Sequence, residues 1–465
     1  MEKKRKRSTF SGQLGFILAA AGSAVGLGNI WRFPYLAAKD GGGVFLFCYL
    51  ILALTFGFAL LTTEIAIGRK TRQSPLTAYK KIHPRWGFIG ILACLVPTII
   101  LPYYSVIGGW VFKYLTVYLT GQGTAAAESG YFTGYITSQF GPLFWMLVFF
   151  ILTAVVVFSG VEKGIEKFSK VLMPILVVMV IGISIFSLTL SHTDADGVTR
   201  TGLEGLKIYL IPDFSGMSFS DILIVVMDAL GQLFFSISVA MGIMVAYGSY
   251  AKKDTNLMSS INQIEIFDTA IAMLAGLMII PAVFTFMGIE GMSAGPGLMF
   301  VSLPMVFQAM GPIGNAVGLV FFIIVAFAAV TSSVSIMEAI VSSIMDFTGW
   351  NRKRSSILVT IYAVITGSIV CLGYNVFYFE LPLPNGSVGQ ILDILDYISN
   401  NCLMPLVALF TCILIGWVVK PKTIIDEVTQ DKYPFHRKRL YALMIKVVAP
   451  IMLVVLLLQS VGLFR

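Results

Sequence analysis

The chain has 465 residues, 57% of them hydrophobic and 12% charged, and a mean hydropathy of +0.87. Those values exclude an ordinary soluble globular chain. The net charge of +8 does not point to a nucleic-acid partner, because most of the basic residues lie in stretches between long apolar segments.

About 20 consecutive apolar residues are needed to cross a bilayer as a helix. Eleven such segments are predicted, near 12–36, 43–68, 88–119, 142–160, 167–189, 221–249, 262–288, 314–346, 355–378, 390–418 and 440–461. The stretches 1–11, 69–87, 161–170, 250–253, 351–354 and 420–446 hold 26 of the 32 Lys and Arg residues. By the positive-inside rule they are cytoplasmic. The N-terminus is therefore predicted inside and, with an odd helix count, Arg465 outside. The run Lys3 to Arg7 has the look of a signal-peptide n-region. The apolar stretch after it is long and lacks a small-residue cleavage pattern, so a retained segment is expected.

The first apolar segment is not a simple anchor. Gly22, Gly26 and Gly28 weaken its helix, and Asn29 and Arg32 place polar atoms where a lipid-facing helix has none. A helix that breaks at mid-membrane frees carbonyl and N–H groups, which are tolerated only where they line a cavity. The sixth segment is interrupted in the same way, by Phe235-Ser-Ile-Ser-Val-Ala-Met-Gly242. Five helices followed by five more place the second set upside down relative to the first. Broken helices at corresponding positions of two inverted repeats point to a transport site at the midplane. The expected organisation is a cytoplasmic segment 1–11, a first five-helix repeat 12–189, an extracellular loop 190–220, a second repeat 221–418, a cytoplasmic segment 419–439, and an eleventh helix with a short outer tail, 440–465. The loops 120–141, 190–220 and 289–313 read as connectors or lids, and 421–439 as a surface helix. Cys48, Cys94, Cys371, Cys402 and Cys412 all fall within predicted spans, so no disulfide framework is expected. His83, His192 and His436 lie in loops. No zinc spacing, nucleophile with base or phosphate loop accompanies them, and an enzyme is not indicated.

The stretch from Gly22 to Tyr35 resembles the signature of the neurotransmitter:sodium symporter family, in its bacterial amino-acid branch. Further matches are Gly41-Gly-Gly, Pro102-Tyr-Tyr104, Gly231-Gln-Leu-Phe-Phe-Ser236, Thr331-Ser-Ser333 and Leu392-Asp-Ile-Leu-Asp396, and the likeness runs from about residue 7 to the end. It implies an all-α polytopic fold with the inverted five-plus-five repeat and two sodium ions, with no organic cofactor; many members have twelve helices, so the eleven transmembrane helices expected here are a departure also seen among bacterial members. Sodium is a hard cation that exchanges its water for carbonyl, hydroxyl and carboxylate oxygens. By resemblance, one site uses Ala24, Asn29, Ser236 and Asp268, completed by the substrate carboxylate. The other uses Gly22, Val25, Ala328, Thr331 and Ser332. Alone, Thr331-Ser-Ser333 reads as helix packing through small residues. Many family members have Asn where Asp268 stands, and chloride-dependent relatives hold an anion near positions matching Tyr49, Gln232 and Ser236. A fixed carboxylate at Asp268 would replace that anion, so transport without chloride is expected.

For the substrate, the resemblance implies helix-end carbonyls near Ala24 for an amine, and N–H groups at Leu27 and Gly28 with the Tyr104 hydroxyl for a carboxylate. Gly26 stands where monoamine carriers have Asp, which favours an α-amino acid. The side-chain pocket would be lined by Val25, Ile100, Phe235, Ser238, Val239, Met241, Ser332 and Ile336, beside Ser236. It holds no counter-charge, so a neutral hydrophobic or aromatic L-amino acid is expected. Ala240, where some relatives have Gly, narrows it. Arg32 and Asp396 match an outer gate above Phe235 and Tyr104. Arg7, Phe10, Tyr250 and Asp346 match an inner gate. Asp228 is expected to face the outer vestibule, and Glu64 to accept hydrogen bonds from the broken sixth helix. Glu338 and Asp393 are buried candidates with open roles. The favoured function is sodium-coupled import of such an amino acid by alternating access across a bacterial inner membrane, the partners being the substrate and the bilayer. A proton-coupled carrier using Asp268 or Glu338, and a membrane amino-acid sensor that does not transport, remain alternatives.

Overall fold

Inside a bilayer each backbone N–H and C=O must find its partner locally, which turns every long apolar segment of this chain into a helix. A computed structural model of the protein describes residues 8–194, 197–292, 295–430 and 432–463. Among the described residues, ten continuous helices are long and apolar enough to cross a membrane, and one bent pair supplies an eleventh span. Span 1 is Gln13–Ala24 with Gly28–Lys39; spans 2 to 5 are Gly43–Thr71, Pro84–Leu119, Phe140–Phe158 and Val161–Leu188. Span 6 is Phe219–Ser236 continued by Ile243–Tyr250. Spans 7 to 11 are Leu257–Met287, Gly311–Thr348, Arg352–Leu372, Ile391–Val418 and Lys438–Ser460. The result is an all-α membrane fold, an inverted five-plus-five repeat with one further helix. The end carrying the basic stretches is called inner below.

Two interruptions shape the centre. In span 1, Val25 is extended, with φ −72° and ψ 98°, the two halves meet at 53°, and the second half begins with a wide π turn, Gly28–Arg32. In span 6, Ser238, Ala240 and Gly242 have φ of +52°, +62° and +72°, and left-handed residues at alternate positions cannot continue a helix. For Ser and Ala this costs about 1–3 kcal/mol each. Local bonds hold them: Ser238 Oγ donates to the Ser23 carbonyl at 2.9 Å, and the Ala240 N–H donates to Glu64 Oε1 at 2.6 Å. Helical bonding runs through Phe235 to Ser236, so the break begins after the point expected from sequence. The second half of span 6 lies directly on span 2. A Cβ on Gly68 would sit 2.0 Å from the Val245 carbonyl oxygen and one on Gly248 2.3 Å from that of Ile65, so only glycine permits this backbone approach.

The connecting loops are more ordered than their composition suggests. The 190–220 stretch forms an antiparallel hairpin, Ser191–Thr193 with Thr199–Thr201, and a helix, Gly202–Leu210, started by a Thr201–Glu204 capping box. The 120–141 stretch contains the short helices Gly123–Ala126 and Tyr131–Thr137. The 289–313 stretch carries Leu298–Ser302 and Leu303–Ala309. Span 9 stops at Leu372, short of the expected 378, and a second hairpin, Leu381–Pro382 with Val388–Gly389, follows. In the 421–439 segment, Lys422–Thr429 is helical and docked on the bundle. The buried Arg69 guanidinium donates to Glu427 Oε1 at 2.7 Å, while Arg437 lies 2.8 Å from Glu265 and 3.5 Å from the Phe58 ring centroid.

Candidate functional site

The two breaks face each other, and a buried polar cluster around one carboxylate lies beside them. The Asn29 carboxamide nitrogen donates to Ser236 Oγ and to Asp268 Oδ1, both at 2.9 Å. Ser236 Oγ lies 3.0 and 2.9 Å from the two Asp268 oxygens and accepts the Tyr49 hydroxyl at 3.1 Å. Asp268 is fully buried. Among the described residues no basic side chain lies within 4.0 Å of it. An anion at this depth without a counter-charge is strongly unfavourable, so the donor set fits a small hard cation. The Asn29 oxygen is turned to the Gly26 N–H at 3.1 Å. A cation beside Asp268 meets that oxygen only after a half-turn of the amide. The Ala24 and Gly22 carbonyls belong to the last turn of the first half of span 1, where helix carbonyls lack intrahelical partners.

A second oxygen cluster lies where span 8 passes that turn. Ser332 Oγ is 3.1 Å from the Ser23 carbonyl and 3.3 Å from that of Val25. Thr331 Oγ1 donates to the carbonyls of Phe327 and Ala328 at 3.0 and 3.1 Å. Gly22 faces span 5, where an added Cβ would meet Met173 Sδ at 3.2 Å.

Between the clusters is a cavity of about 20 Å³. Ala24, Gly26, Gly28, Ile100, Tyr104, Phe235, Ser238, Met241, Ser332 and Ile336 line it, as do Asn29, Ser23 and Ile243. Val25, Leu27, Ser236 and Val239, expected there, do not. Val25 and Val239 are wholly buried in the surrounding packing, Ser236 belongs to the polar cluster, and Leu27 contributes its N–H, 3.5 Å from the Tyr104 hydroxyl. Ser23 and Ile243 escaped the sequence reading because a residue beside unwound backbone has no helical period to fix its direction. A Cβ on Gly26 would lie 2.7 Å from Ser332 Oγ and one on Gly28 2.3 Å from the Phe235 ring. A side chain at either position would have to displace Ser332 Oγ or the Phe235 ring.

Phe235 and Tyr104 also floor a larger cavity of about 360 Å³ on the outer side, lined by Arg32, Tyr103, Asp396 and Asn400. Arg32 and Asp396 share this space without pairing, and Asp396 instead accepts the Asn400 amide at 2.5 Å. Arg32 also borders an outermost cavity of about 800 Å³ with Lys39, Asp228 and Asn385, which places Asp228 in the vestibule as expected. There Lys39 lies 2.7 Å from Asp228 and 3.5 Å from Asp40. Burial, and then the nearby Asp228 charge, push the Asp40 carboxyl up to about 7.

Described residues pack closely across the inner side. The Phe10 N–H donates to the Tyr250 carbonyl at 3.2 Å, and the Phe10 ring packs on Phe16, Tyr247 and Tyr250 with centroids 5.7, 5.8 and 6.1 Å away. Tyr250 donates to Glu338 at 2.5 Å, and Glu338 takes both arms of Arg352 at 2.5 and 2.8 Å. Asp346 accepts the Ser74 N–H at 2.7 Å. Arg7, the remaining expected member of the inner gate, lies outside the described residues. Asp393, whose role was open, caps span 10 by accepting the Gln390 N–H at 3.0 Å.

The sequence pattern of the sodium:neurotransmitter symporter family matches residues 7–128 and 132–465. The chain belongs to this family. As in that family as a whole, its work is sodium-dependent transport and not catalysis. The uncharacterized sodium-dependent transporter YhdH of Bacillus subtilis (strain 168) is 34% identical over 432 residues, covering 91% of each chain. The sodium- and chloride-dependent GABA transporter 2 of Rattus norvegicus is 25% identical over 469 residues, covering 91% of this chain and 75% of its own. The crystal structure of MhsT in complex with L-phenylalanine superposes with a TM-score of 0.85 at 35% identity, over 98% of this chain and all of that one.

Proposed function

We propose that the protein imports a neutral hydrophobic or aromatic L-amino acid together with sodium, by alternating access and without chloride. The observation that carries this reading is the buried, unpaired Asp268 carboxylate set against Asn29 and Ser236 beside a small, mostly apolar cavity. Sodium, carried as co-substrate, would be held by Ala24, Asn29, Ser236 and Asp268 at one cluster. A second ion would sit at Gly22, Val25, Ala328, Thr331 and Ser332. The Tyr104 hydroxyl and the Leu27 and Gly28 N–H groups would receive the carboxylate, and the apolar wall of Ile100, Phe235, Met241 and Ile336 the side chain. Among the described residues no charged side chain lines the cavity, which disfavours Lys, Arg, Asp and Glu as substrates. L-Phenylalanine in MhsT agrees with that choice.

Chloride independence rests on charge. Tyr49 donates to Ser236 Oγ, which itself lies 2.9 Å from Asp268, so a fixed anion would stand beside the position where a bound one would be needed. Proton coupling through Glu338 is disfavoured by its two-armed bond to Arg352. We assign the repeats to 12–189 and 221–418 and place the basic end, with the N-terminus, on the cytoplasmic side of a bacterial inner membrane. A thermal-shift screen of the twenty amino acids tests the reading. Large apolar and aromatic ones should stabilise the protein only with sodium, and counterflow should follow the same ranking with gluconate in place of chloride. Absence of any sodium-dependent shift, binding without counterflow, or collapse in gluconate would each overturn it.

A further inference from the structure

Where the chain enters span 1, Ser11 is gripped by three side chains from elsewhere. Its N–H donates to Glu166 Oε2 at 2.8 Å and its hydroxyl to Glu166 Oε1. Its carbonyl accepts the Lys252 ammonium at 2.6 Å, and Lys170 reaches its hydroxyl at 3.2 Å. Glu166 is 1% exposed although Ser11 itself is on the surface. It closes the π turn Val161–Glu166 that opens span 5. Its carboxylate lies flat on span 1, since a Cβ on Gly15 would come within 2.0 Å of Oε1. The grip thus ties the start of span 1 to span 5 and to the stretch after span 6.

We infer that Glu166 is a positioning residue of the inner gate: by clasping Ser11 it sets how readily span 1 parts from spans 5 and 6. The inference rests on the alternating-access reading above. Any inward path from the cavity past Ser23 and Ser238 has to separate Phe10 from Tyr250 and Ser11 from Glu166. The chemistry suits a contact that must break repeatedly. Lys170, one turn on along the same helix, lies 2.6 Å from Glu166 and remains with it when Ser11 leaves, so opening strands no unpaired buried charge. The Glu338–Arg352 pair differs, because neither member has a second partner of opposite charge among the described ion pairs, and it reads as a fixed tie between spans 8 and 9.

The test uses the full chain in proteoliposomes, with Cys48, Cys94, Cys371, Cys402 and Cys412 replaced and Ser335→Cys as reporter. Ser335 is buried and receives the Tyr247 hydroxyl at 2.7 Å, directly behind the Phe10 seal. A membrane-impermeant maleimide on the inner side reads the open fraction, in potassium and in sodium. Glu166→Gln should raise the labelling rate in potassium about tenfold, the equivalent of about 1.4 kcal/mol, with the number of sodium-dependent binding sites unchanged. Ser11→Ala, which removes the hydroxyl held by Glu166 and Lys170 but keeps the backbone bond to Glu166, should raise it about threefold, or roughly 0.6 kcal/mol, and decides the matter if Glu166→Gln does not fold. Parent labelling rates in folded Glu166→Gln, or in Ser11→Ala alone, would overturn the clasp. Labelling of the unsubstituted reporter chain that sodium does not slow would instead count against alternating access, and no outcome depends on the substrate's identity.

Discussion

The two ends of the transport pathway are closed by different means. On the outer side, among the described residues, Phe235 and Tyr104 separate the cavity at the breaks from about 360 Å³ of vestibule, and the Arg32 and Asp396 charges above them do not touch. On the inner side closure is layered, with the aromatic cluster around Phe10, the Tyr250–Glu338–Arg352 chain and the Glu166 grip on Ser11. Two side chains make a lid that can move alone. A seal that joins spans 1, 5, 6, 8 and 9 can open only when helices shift together. Under the alternating-access proposal, the contrast would give the small, local step to the outer end and the collective one to the inner end.

The largest effect should come from breaking the inner seal where charge is buried. Arg352→Ala leaves Glu338 buried without its partner and is expected to lose about 3–5 kcal/mol of stability, read as a lower melting temperature in detergent; an unchanged midpoint would show the pair to be ornamental. Next is the cluster between the two ends. Asp268→Asn keeps the shape and removes the charge, so sodium affinity should fall about 100-fold, or roughly 2.7 kcal/mol, with partial recovery in chloride. Equal sodium affinity in wild type and variant would remove the role given to this carboxylate. Gly26→Asp puts a Cβ 2.7 Å from Ser332 Oγ and should weaken amino-acid binding more than tenfold, about 1.4 kcal/mol, by isothermal titration. The outer charges should matter least to stability, because Arg32 and Asp396 do not touch. Asp396→Asn is expected to change the melting temperature by the equivalent of about 0–1 kcal/mol while accelerating substrate release, and a large stability loss would erase the contrast between the ends.

A subtler probe of the vestibule is pH. Because the fold raises the Asp40 carboxyl to about 7, the protonated form is favoured by the native state. Stability from this group is in full force below its ordinary value near 4 and is lost as pH rises through about 7. Asp40→Asn, which stays neutral, should flatten the dependence of melting temperature on pH across that window. An identical slope in wild type and variant would count against it.

Much of the architecture was legible from the chain itself. Span length, sidedness of Lys and Arg, and the two interruptions follow from rules that act locally, since a helix in lipid must satisfy its own backbone and can stop only where Gly, Asn or left-handed residues allow. The residues Asn29, Ser236 and Asp268 were legible as a set only through the family resemblance, and their meeting at 2.9 Å depends on the rotation of three helices. Tertiary structure alone decided that Ile243 and Ser23 face the cavity while Val239 does not, because unwound backbone carries no period. It alone joined Glu166 to Ser11, Lys39 to Asp228 and Glu338 to Arg352, pairs up to 189 residues apart in sequence. A charge in a membrane chain declares that it needs a partner; which partner it finds is settled only when the helices pack.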